Sequence, residues 1–482
     1  HPSSESNGDE FIELYNQGAA GVDVSGWCFE GVQFCFPPAT VLAAGSYTVL
    51  ASDLAQFAVT YAPATADFAF LLSLDDAGER IALLDGGLVV QDELSYSDQG
   101  QWPVLPDGLG PSPVLIDTSA DTALPRSWAA SPAPGGHTVG AANSVAGALP
   151  PWLDEVSYPT TPGAFDPLPV TTRVYAATSA TLTYVVGFGT CNGGSEDGEC
   201  CETAADCPGG SCTGGEVTLP LVDDGTGVDA VALDGIWSAE IPAQPAGTPV
   251  RLRLEATGPT GTGSWPRADD TVRYTGTAVL DTVSTSLPVL EWFMCDADYA
   301  EAVAHKLTDD VEPALVYFDG VLYDGVTVRV RGASVRGFNK TPWKFFFPQG
   351  HDFEGAGLLE RPVDTFNAQA MHMDKAFVRE FLGWESIRES GAPYLQMFPM
   401  RLQKNGQFFG LYGFLEAPDS DFLKRSDIDL SGARYKAGDS LQPRTLEQMP
   451  NFYEKKSRFD EGFEDLHQLI VDLQVIPPSG QV

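Results

Sequence analysis

The segment from Arg329 to Phe347 reads RVRGASVRGFNKTPWKFFF, and its basic residues set it apart from the rest of the chain. Its two ends alternate as β-strands do, and a Gly-Ala-Ser turn lies between them. Its five basic side chains are Arg329, Arg331, Arg336, Lys340 and Lys344. Arginine offers phosphate a fork of N–H donors and lysine offers a point charge, so this pattern is suited to binding phosphate. Solvated strand faces are the alternative interpretation.

The chain as a whole is strongly acidic. Its 482 residues include 27 basic and 66 acidic side chains, for a formal net charge of -39, and no lysine precedes Lys306. Such acidity argues against nucleic-acid binding and against adsorption to anionic lipid. No apolar run approaches the ~20 residues needed to span a membrane. These features favour a secreted or surface protein of about three domains, whose protein substrate or surface ligand the sequence does not identify.

Eight cysteines also indicate an extracellular location. Cys28 and Cys35 flank a predicted hairpin turn, so we predict a disulfide between them. Residues 191–212 form a Gly-rich, acidic insert that is almost devoid of apolar residues and therefore needs cross-links. Its cysteines are Cys191, Cys200, Cys201, Cys207 and Cys212. We predict two disulfides within the insert and one to Cys295. A four-thiolate zinc site is the alternative, although paired CxxC spacing and a nearby His are missing.

The pattern along the chain predicts two all-β, immunoglobulin-like sandwiches followed by an α+β domain. We place the sandwiches at residues 1–146 and 166–285, a Pro-rich linker at 147–165, and the α+β domain at 286–482. The second sandwich looks like the small modules of bacterial surface proteins. It contains four acidic residues near glycines: Asp223, Asp224, Asp229 and Asp234. We interpret them as turn-forming, with a loose calcium site as the alternative.

Several runs in the first sandwich match a known pattern. They are DEFIELYN (9–16), VSGW (24–27), LID (115–117), WA (128–129) and GAANS (140–144). With these runs the segment resembles the lamin-tail domain, which implies a binding or attachment role. The strand that precedes EFIELYN in that family is missing, so we expect the chain to be cut there. Glu10 and Glu13 are not expected to form a catalytic dyad, because positions i and i+3 of a strand face opposite sides.

The last segment carries spaced motifs in two blocks. The first block is Val328 to Gly332 with Ser334, Arg336, Lys340, Trp343 and Lys344. The second block is Met373-Asp374-Lys375, Arg379, Asn405-Gly406, Gly410-Leu411-Tyr412, Leu415-Glu416 and Asp421-Phe422-Leu423. In this order the motifs resemble the CotH family of atypical secreted kinases, first seen as spore-coat proteins. We also predict helices over 296–307 and 376–390, the latter capped by Asp374.

The CotH resemblance implies ATP and Mg²⁺ as cofactors and transfer of the γ-phosphate to Ser or Thr of an extracellular protein. We predict that Lys344 binds phosphate and that Glu416 pairs with it. Arg331 and Arg336 flank the Gly-Ala-Ser turn, whose N–H groups could form an anion nest. Lys340 is also a candidate cofactor-binding residue, and its loop position predicts that it is a solvated partner of the site rather than the main phosphate ligand.

The catalytic and magnesium-binding aspartates of the CotH family lie C-terminal to its Gly-Tyr-Glu block, and no DxxxN motif follows Glu416 here. We interpret Asp460, Glu464 and Asp465 as the polar face of a helix. We therefore expect a fragment that lacks the catalytic aspartates and is inactive. The alternative is a surface-anchored binding or adhesion protein with a non-catalytic kinase-like domain. A carbohydrate-active enzyme ranks third, because no separated carboxylate pair stands out from the acidic background.

Overall fold

The computed structural model describes residues 6–332, 334–430, 432–438, 441–459 and 461–475. β-Strands dominate it and about 15% of the residues are helical, which confirms the expectation of several β-domains. The fold has two compact units, one of residues 1–384 and 396–416, the other of 385–395 and 417–482. Asp460 and the centre of the Gly-Ala-Ser turn, Ala333, lie outside the described residues.

The N-terminal region consists of short strands and one helix, α1 (Leu54–Thr60). The strands are β1 (Phe11–Tyr15), β2 (Val22–Asp23), β3 (Cys28–Glu30), β4 (Phe34–Cys35), β5 (Val41–Leu42), β6 (Tyr47–Ala51), β7 (Phe68–Ala69), β8 (Arg80–Leu84), β9 (Val90–Ser95), β10 (Pro113–Leu115) and β11 (Trp128–Ala130). Sheets β1-β6-β7 and β4-β3-β8-β9 share one apolar core, in which Leu50 of the first sheet packs with Phe29 and Ile81 of the second. This burial stabilises a two-layer arrangement.

The second region is also two-layered. Its strands are β12 (Trp152–Ser157), β13 (Leu168–Tyr175), β14 (Ser179–Val186), β15 (Gly189–Asn192), β16 (Cys200–Cys201), β17 (Ser211–Thr213), β18 (Val217–Leu221), β19 (Ile236–Ile241), β20 (Thr248–Gly258), β21 (Gly261–Trp265) and β22 (Thr275–Val279). Sheet β12-β13-β19 packs on sheet β18-β14-β20-β21, with β22 beside β20. Strand β12 lies inside the predicted linker 147–165. That prediction is wrong for residues 152–157, because their backbone pairs with β13. Their side chains alternate between the two faces of the strand, and Leu153 is buried.

Disulfides give the insert its shape. Strands β16-β15-β17 form a small sheet, closed by Cys191–Cys207 and Cys201–Cys212. The remaining insert cysteine, Cys200, is bonded to Cys295, and Cys28 is bonded to Cys35 directly across β3 and β4. The structure thus has the pairing that the sequence predicts.

The aspartates of the loop 223–234 in the second region bind backbone N–H groups, and Asp224, Asp229 and Asp234 each accept the N–H of the residue two positions further on. The carboxylates of Asp223, Asp229 and Asp234 lie within 4.8 Å of one another. Asp223 accepts the N–H groups of Asp234 and Gly235, and Asp229 accepts that of Gly225. These contacts are those of turn-forming aspartates.

The third region is a closed barrel that follows directly on the second. Its strands are β23 (Val289–Phe293), β24 (Glu312–Phe318), β25 (Val321–Val330), β26 (Trp343–Phe346), β27 (Thr365–Gln369), β28 (Met397–Lys404) and β29 (Gln407–Glu416). They close in the order β23-β24-β25-β26-β27-β29-β28. The interior is filled by large apolar side chains, among them Trp292, Trp343, Phe345, Phe366 and Phe414. Helix α2 (Asp296–Ala304) contributes Ala302 to this core.

Helix α3 (Arg379–Glu389) begins where Asp374 accepts the backbone N–H groups of Val378 and Arg379, as its predicted capping role requires. The second compact unit contains α4 (Ser420–Arg425), β30 (Tyr435–Ala437), β31 (Tyr453–Lys455) and α5 (Glu464–Val475). Glu464 and Asp465 are exposed on α5, in agreement with the predicted polar face. Among the described residues, no helix has both the length and the apolar character of a membrane-spanning segment.

Candidate functional site

The basic side chains of β25 and β26 share one face of the barrel wall. Arg329 lies directly opposite Lys344, whereas the neighbouring pair Val330 and Trp343 is buried in the barrel core. Successive residues of a strand alternate between faces, so Arg329 and Lys344 project away from that core. Both cations lie against the ring of Phe346, with the Lys344 Nζ 4.8 Å and the Arg329 Cζ 5.7 Å from its centroid.

The same face continues across β27. Lys344 is opposite Asn367, which is opposite Leu415 of β29. The side-chain amide of Asn367 is buried and donates to the Leu415 carbonyl at 3.3 Å. The side chain of Asn367, next to Lys344 in the barrel wall, is therefore held in place. Lys344 itself is half-buried.

Arg331 forms the second row of this face, two residues beyond Arg329. Its Nη1 donates to the Gln369 side chain at 3.1 Å, and the Gln369 amide donates to both carboxylate oxygens of Glu380 on α3, at 3.1 and 3.0 Å. Burial lowers the pKa of Arg331; Glu380 opposes this shift and Arg329 adds to it. The relay from Glu380 through Gln369 orients the guanidinium along the basic face.

Arg336 has a different role from the one predicted. Its guanidinium donates to the carbonyls of Gly332, Lys306 and Thr308 and to the carboxylate of Asp309. It is only 9% exposed. Because these protein groups engage all three of its nitrogens, we assign Arg336 to holding the turn rather than to binding phosphate.

Lys340 is not the solvated residue that its loop position predicted. Its amino group donates to the Leu411 carbonyl and lies 4.6 Å from the ring centroid of Tyr412 and 4.8 Å from that of Phe377. Burial lowers the pKa of this amine. Lys340 therefore fixes its loop against β29.

Glu416 is buried, with 1% of its surface exposed. Glu416 is opposite Phe366 of β27, and Phe366 is opposite Phe345 of β26. These three residues form a row across the strands, and Lys344 belongs to the adjacent row. Adjacent rows face opposite sides of a sheet. Glu416 Oε2 accepts the backbone N–H of Gln396 at 2.8 Å. The register thus does not support the predicted pairing of Glu416 with Lys344.

Sequence reasoning missed three residues that shape this site. Gln369 and Glu380 orient Arg331, and Asp309 accepts hydrogen bonds from both Arg329 and Arg336. The only signal for Gln369 in the sequence is the alternation of Asn367 and Gln369 along a strand. Asp309 lies 20 residues before Arg329 and 27 before Arg336, in a loop with no recognisable motif.

A separate cavity of about 450 Å³ lies in the N-terminal region. Its walls include Asp9, Tyr61 and His137, together with the loops around Gly110 and Gly135. Tyr61 donates to the Asp9 carbonyl at 2.7 Å and meets the His137 ring edge-on, with centroids 5.0 Å apart. Burial lowers the pKa of His137 and thus favours the neutral imidazole.

Comparison with protein families agrees with this arrangement. The family described as CotH kinase protein matches residues 328–477, which begin just before Arg329, and the Lamin Tail Domain family matches residues 1–98. No curated protein matches the chain. The chain therefore carries a Lamin Tail Domain followed by a CotH kinase domain.

Proposed function

We propose that the basic face of the barrel binds the phosphates of ATP, as part of a CotH-type phosphotransferase that acts on Ser or Thr of a protein outside the cell. One observation carries the proposal. Arg329, Arg331 and Lys344 project from one face of the barrel, in a chain whose net charge of -39 otherwise repels anions.

Each of these side chains has a role that suits it. Lys344 supplies a point charge from a rigid strand, and Arg331 supplies a guanidinium whose direction is set by Gln369. Phosphoryl transfer depends mainly on positioning and on charge neutralisation, and Mg²⁺ bound with ATP adds to that neutralisation. Glu380 holds the relay in place.

An extracellular setting is supported by the four disulfides. Such bonds persist in oxidising compartments and are rare in the cytosol. The acidic surface favours solubility there. Surface proteins are therefore the class of acceptor that we propose.

The test is a calorimetric titration of the full chain with ATP, ADP, AMP and adenosine in the presence of Mg²⁺. If the site recognises phosphate, affinity falls as phosphates are removed, and adenosine gives no saturable heat. Equal affinity for ATP and adenosine, or no binding of ATP, would contradict the proposal.

A second candidate function is ligand binding by the N-terminal region in a non-catalytic surface protein. The observation that favours it is the cavity between Tyr61 and His137, which has the size of a ligand pocket. Co-sedimentation with bacterial cells, compared between the wild type and His137→Ala, tests this function. Equal sedimentation of the two proteins would argue against a role for the cavity.

A further inference from the structure

Helix α2 connects the cysteine-rich insert to the basic segment. Its N-cap residue is Cys295, whose disulfide partner Cys200 lies on β16 of the insert. After α2 the chain runs through residues 306–309, which contact Arg336 and Arg329. A continuous series of contacts therefore runs from the insert to β25, which carries Arg329, and to the turn 334–337.

At one end of this series, Asp309 joins two parts of the basic segment. Its Oδ1 accepts a hydrogen bond from Arg329 of β25 at 2.7 Å and another from Arg336 of the turn 334–337. The carbonyls of Lys306 and Thr308 bind the same Arg336 guanidinium. Hydrogen bonds between charged groups are strong and directional, so this arrangement fixes the turn relative to the strand.

At the other end, the insert contacts the barrel at two places. The first is the disulfide of Cys200 with Cys295. The second is an ion cluster in which Glu202 of the insert binds Arg251, which lies 3.5 Å from Asp324 of β25. Arg251 is 4% exposed, and β25 is the strand that carries Arg329. The insert is therefore bonded to the start of α2 and is linked to β25 indirectly, through Arg251 of β20.

Between these ends, α2 is held on the barrel. The ring of Tyr299 stacks on that of Trp343, the residue before Lys344, with centroids 5.7 Å apart. The Lys404 amine lies 3.3 Å from the Asp296 carboxylate. A shift of α2 would therefore displace Trp343, which precedes Lys344, and Asp309, which contacts Arg329 and Arg336.

We propose that α2, fixed by Cys200–Cys295 at one end and by Asp309–Arg336 at the other, is a brace that positions Arg331 and Lys344 for phosphate. Asp309 and Arg336 are positioning residues in this arrangement, because Asp309 contacts Arg329 and Arg336, and Arg336 also binds the Gly332 carbonyl next to Arg331. The effect on ATP rests on the proposed function, so the order of the turn is tested separately from ATP affinity.

Hydrogen exchange of the full chain, measured by mass spectrometry without nucleotide, tests the brace. The variants are Asp309→Asn, which removes the shared charge, and Cys200→Ser with Cys295→Ser, which removes the covalent end. We expect exchange over 306–309 and 334–337 to become about tenfold faster in both, because each variant removes a constraint on these residues and so favours local opening. The control is Glu301→Gln, which changes α2 at an exposed site whose carboxylate contacts His305 at the end of the same helix, and it should leave that exchange unchanged.

Unchanged exchange in Asp309→Asn and in the cysteine variant would overturn the brace, whether or not ATP binds. Because Asp309 is exposed, its variant should fold even if the cysteine variant does not. Asp309→Glu keeps the carboxylate and should restore slow exchange, which a general loss of stability would not predict.

ATP affinity separates the brace from the proposed function. If both hold, Asp309→Asn weakens ATP binding about tenfold or more, and Asp309→Glu restores most of the affinity. If the wild type does not bind ATP but exchange is faster in the variants, the proposed function fails and the brace stands. If ATP binds equally to the wild type and the variants and exchange is unchanged, the brace fails and the proposed function stands.

Discussion

Arg329 and Lys344 lie directly opposite each other on β25 and β26, and both cations contact the ring of Phe346. Like charges in opposite positions of a sheet repel each other. The carboxylate of Asp309, 2.7 Å from Arg329, already offsets part of this charge, and a phosphate group at the two cations would add further negative charge. This relationship is the physical basis of the proposed function.

The disulfide pairing can be verified directly. We expect peptide mapping without reduction to find Cys28–Cys35, Cys191–Cys207, Cys200–Cys295 and Cys201–Cys212. Cys200 and Cys201 are adjacent, so proteolysis does not separate them. In Cys200→Ser, the free thiol should therefore be Cys295. Stoichiometric zinc with free insert thiols would instead support the metal-site alternative.

The two β-regions should depend on Arg267 for stability. Its guanidinium donates to the Trp128 carbonyl of the N-terminal region at 2.7 Å and pairs with Asp269, which accepts the Ala130 N–H at 2.9 Å. Arg267→Ala leaves a partly buried carboxylate without its cation, so we expect a loss of about 2 kcal/mol in the free energy of unfolding. The exposed pair of Arg173 with Glu155 is the control, and Arg173→Ala should cost only ~0–1 kcal/mol. Equal losses in denaturant titrations of the two variants would contradict this role.

The stability of the N-terminal region should depend on pH through Glu13. Burial raises the pKa of Glu13 from its ordinary value of 4.5 to about 6, and the hydrogen bond from Gly140 opposes the shift. The folded state therefore binds this proton more tightly than the unfolded state. The contribution of Glu13 is most favourable below pH 4.5 and is lost as the pH rises to about 6.

Glu13→Gln removes the titrating group and keeps an acceptor for the Gly140 N–H. We expect the unfolding free energy of this variant, relative to the wild type, to rise by about 1–2 kcal/mol between pH 4 and pH 7, since one pKa unit corresponds to about 1.4 kcal/mol. Urea titrations at several pH values measure the difference. A difference that does not change across this range would show that Glu13 titrates normally.

Much of the fold could be predicted from short patterns in the sequence. The alternation of Arg329, Val330 and Arg331 defines a strand with one apolar and one basic face, and the structure has that strand. The odd number of cysteines in the insert requires an outside partner, and Cys295 is bonded to Cys200. These features are local or follow from counting, so they are visible without knowledge of tertiary contacts.

Other features depend on register and on distant backbone groups. The sequence predicts a pair of Glu416 with Lys344 because Glu416 ends the strand GLYGFLE, but the register of β26, β27 and β29 is not visible in the sequence, and a shift of one position along a strand changes the face. The partners of Arg336 and Lys340 are mostly main-chain carbonyls, and any residue type supplies those. The prolines of residues 147–165 predict a linker, and the alternating run that begins at Trp152 is too short to indicate β12 against that signal.

The most direct test of phosphate binding compares ATP affinity between the wild type, Lys344→Ala and Lys340→Ala by calorimetry with Mg²⁺. Lys344 projects from the basic face, whereas the Lys340 amine is bound to the Leu411 carbonyl. We predict that Lys344→Ala weakens ATP binding tenfold or more, because hydrogen bonds to charged groups contribute ~1.5–3 kcal/mol, and that Lys340→Ala has a smaller effect. Equal affinity of the wild type and Lys344→Ala for ATP would contradict the account.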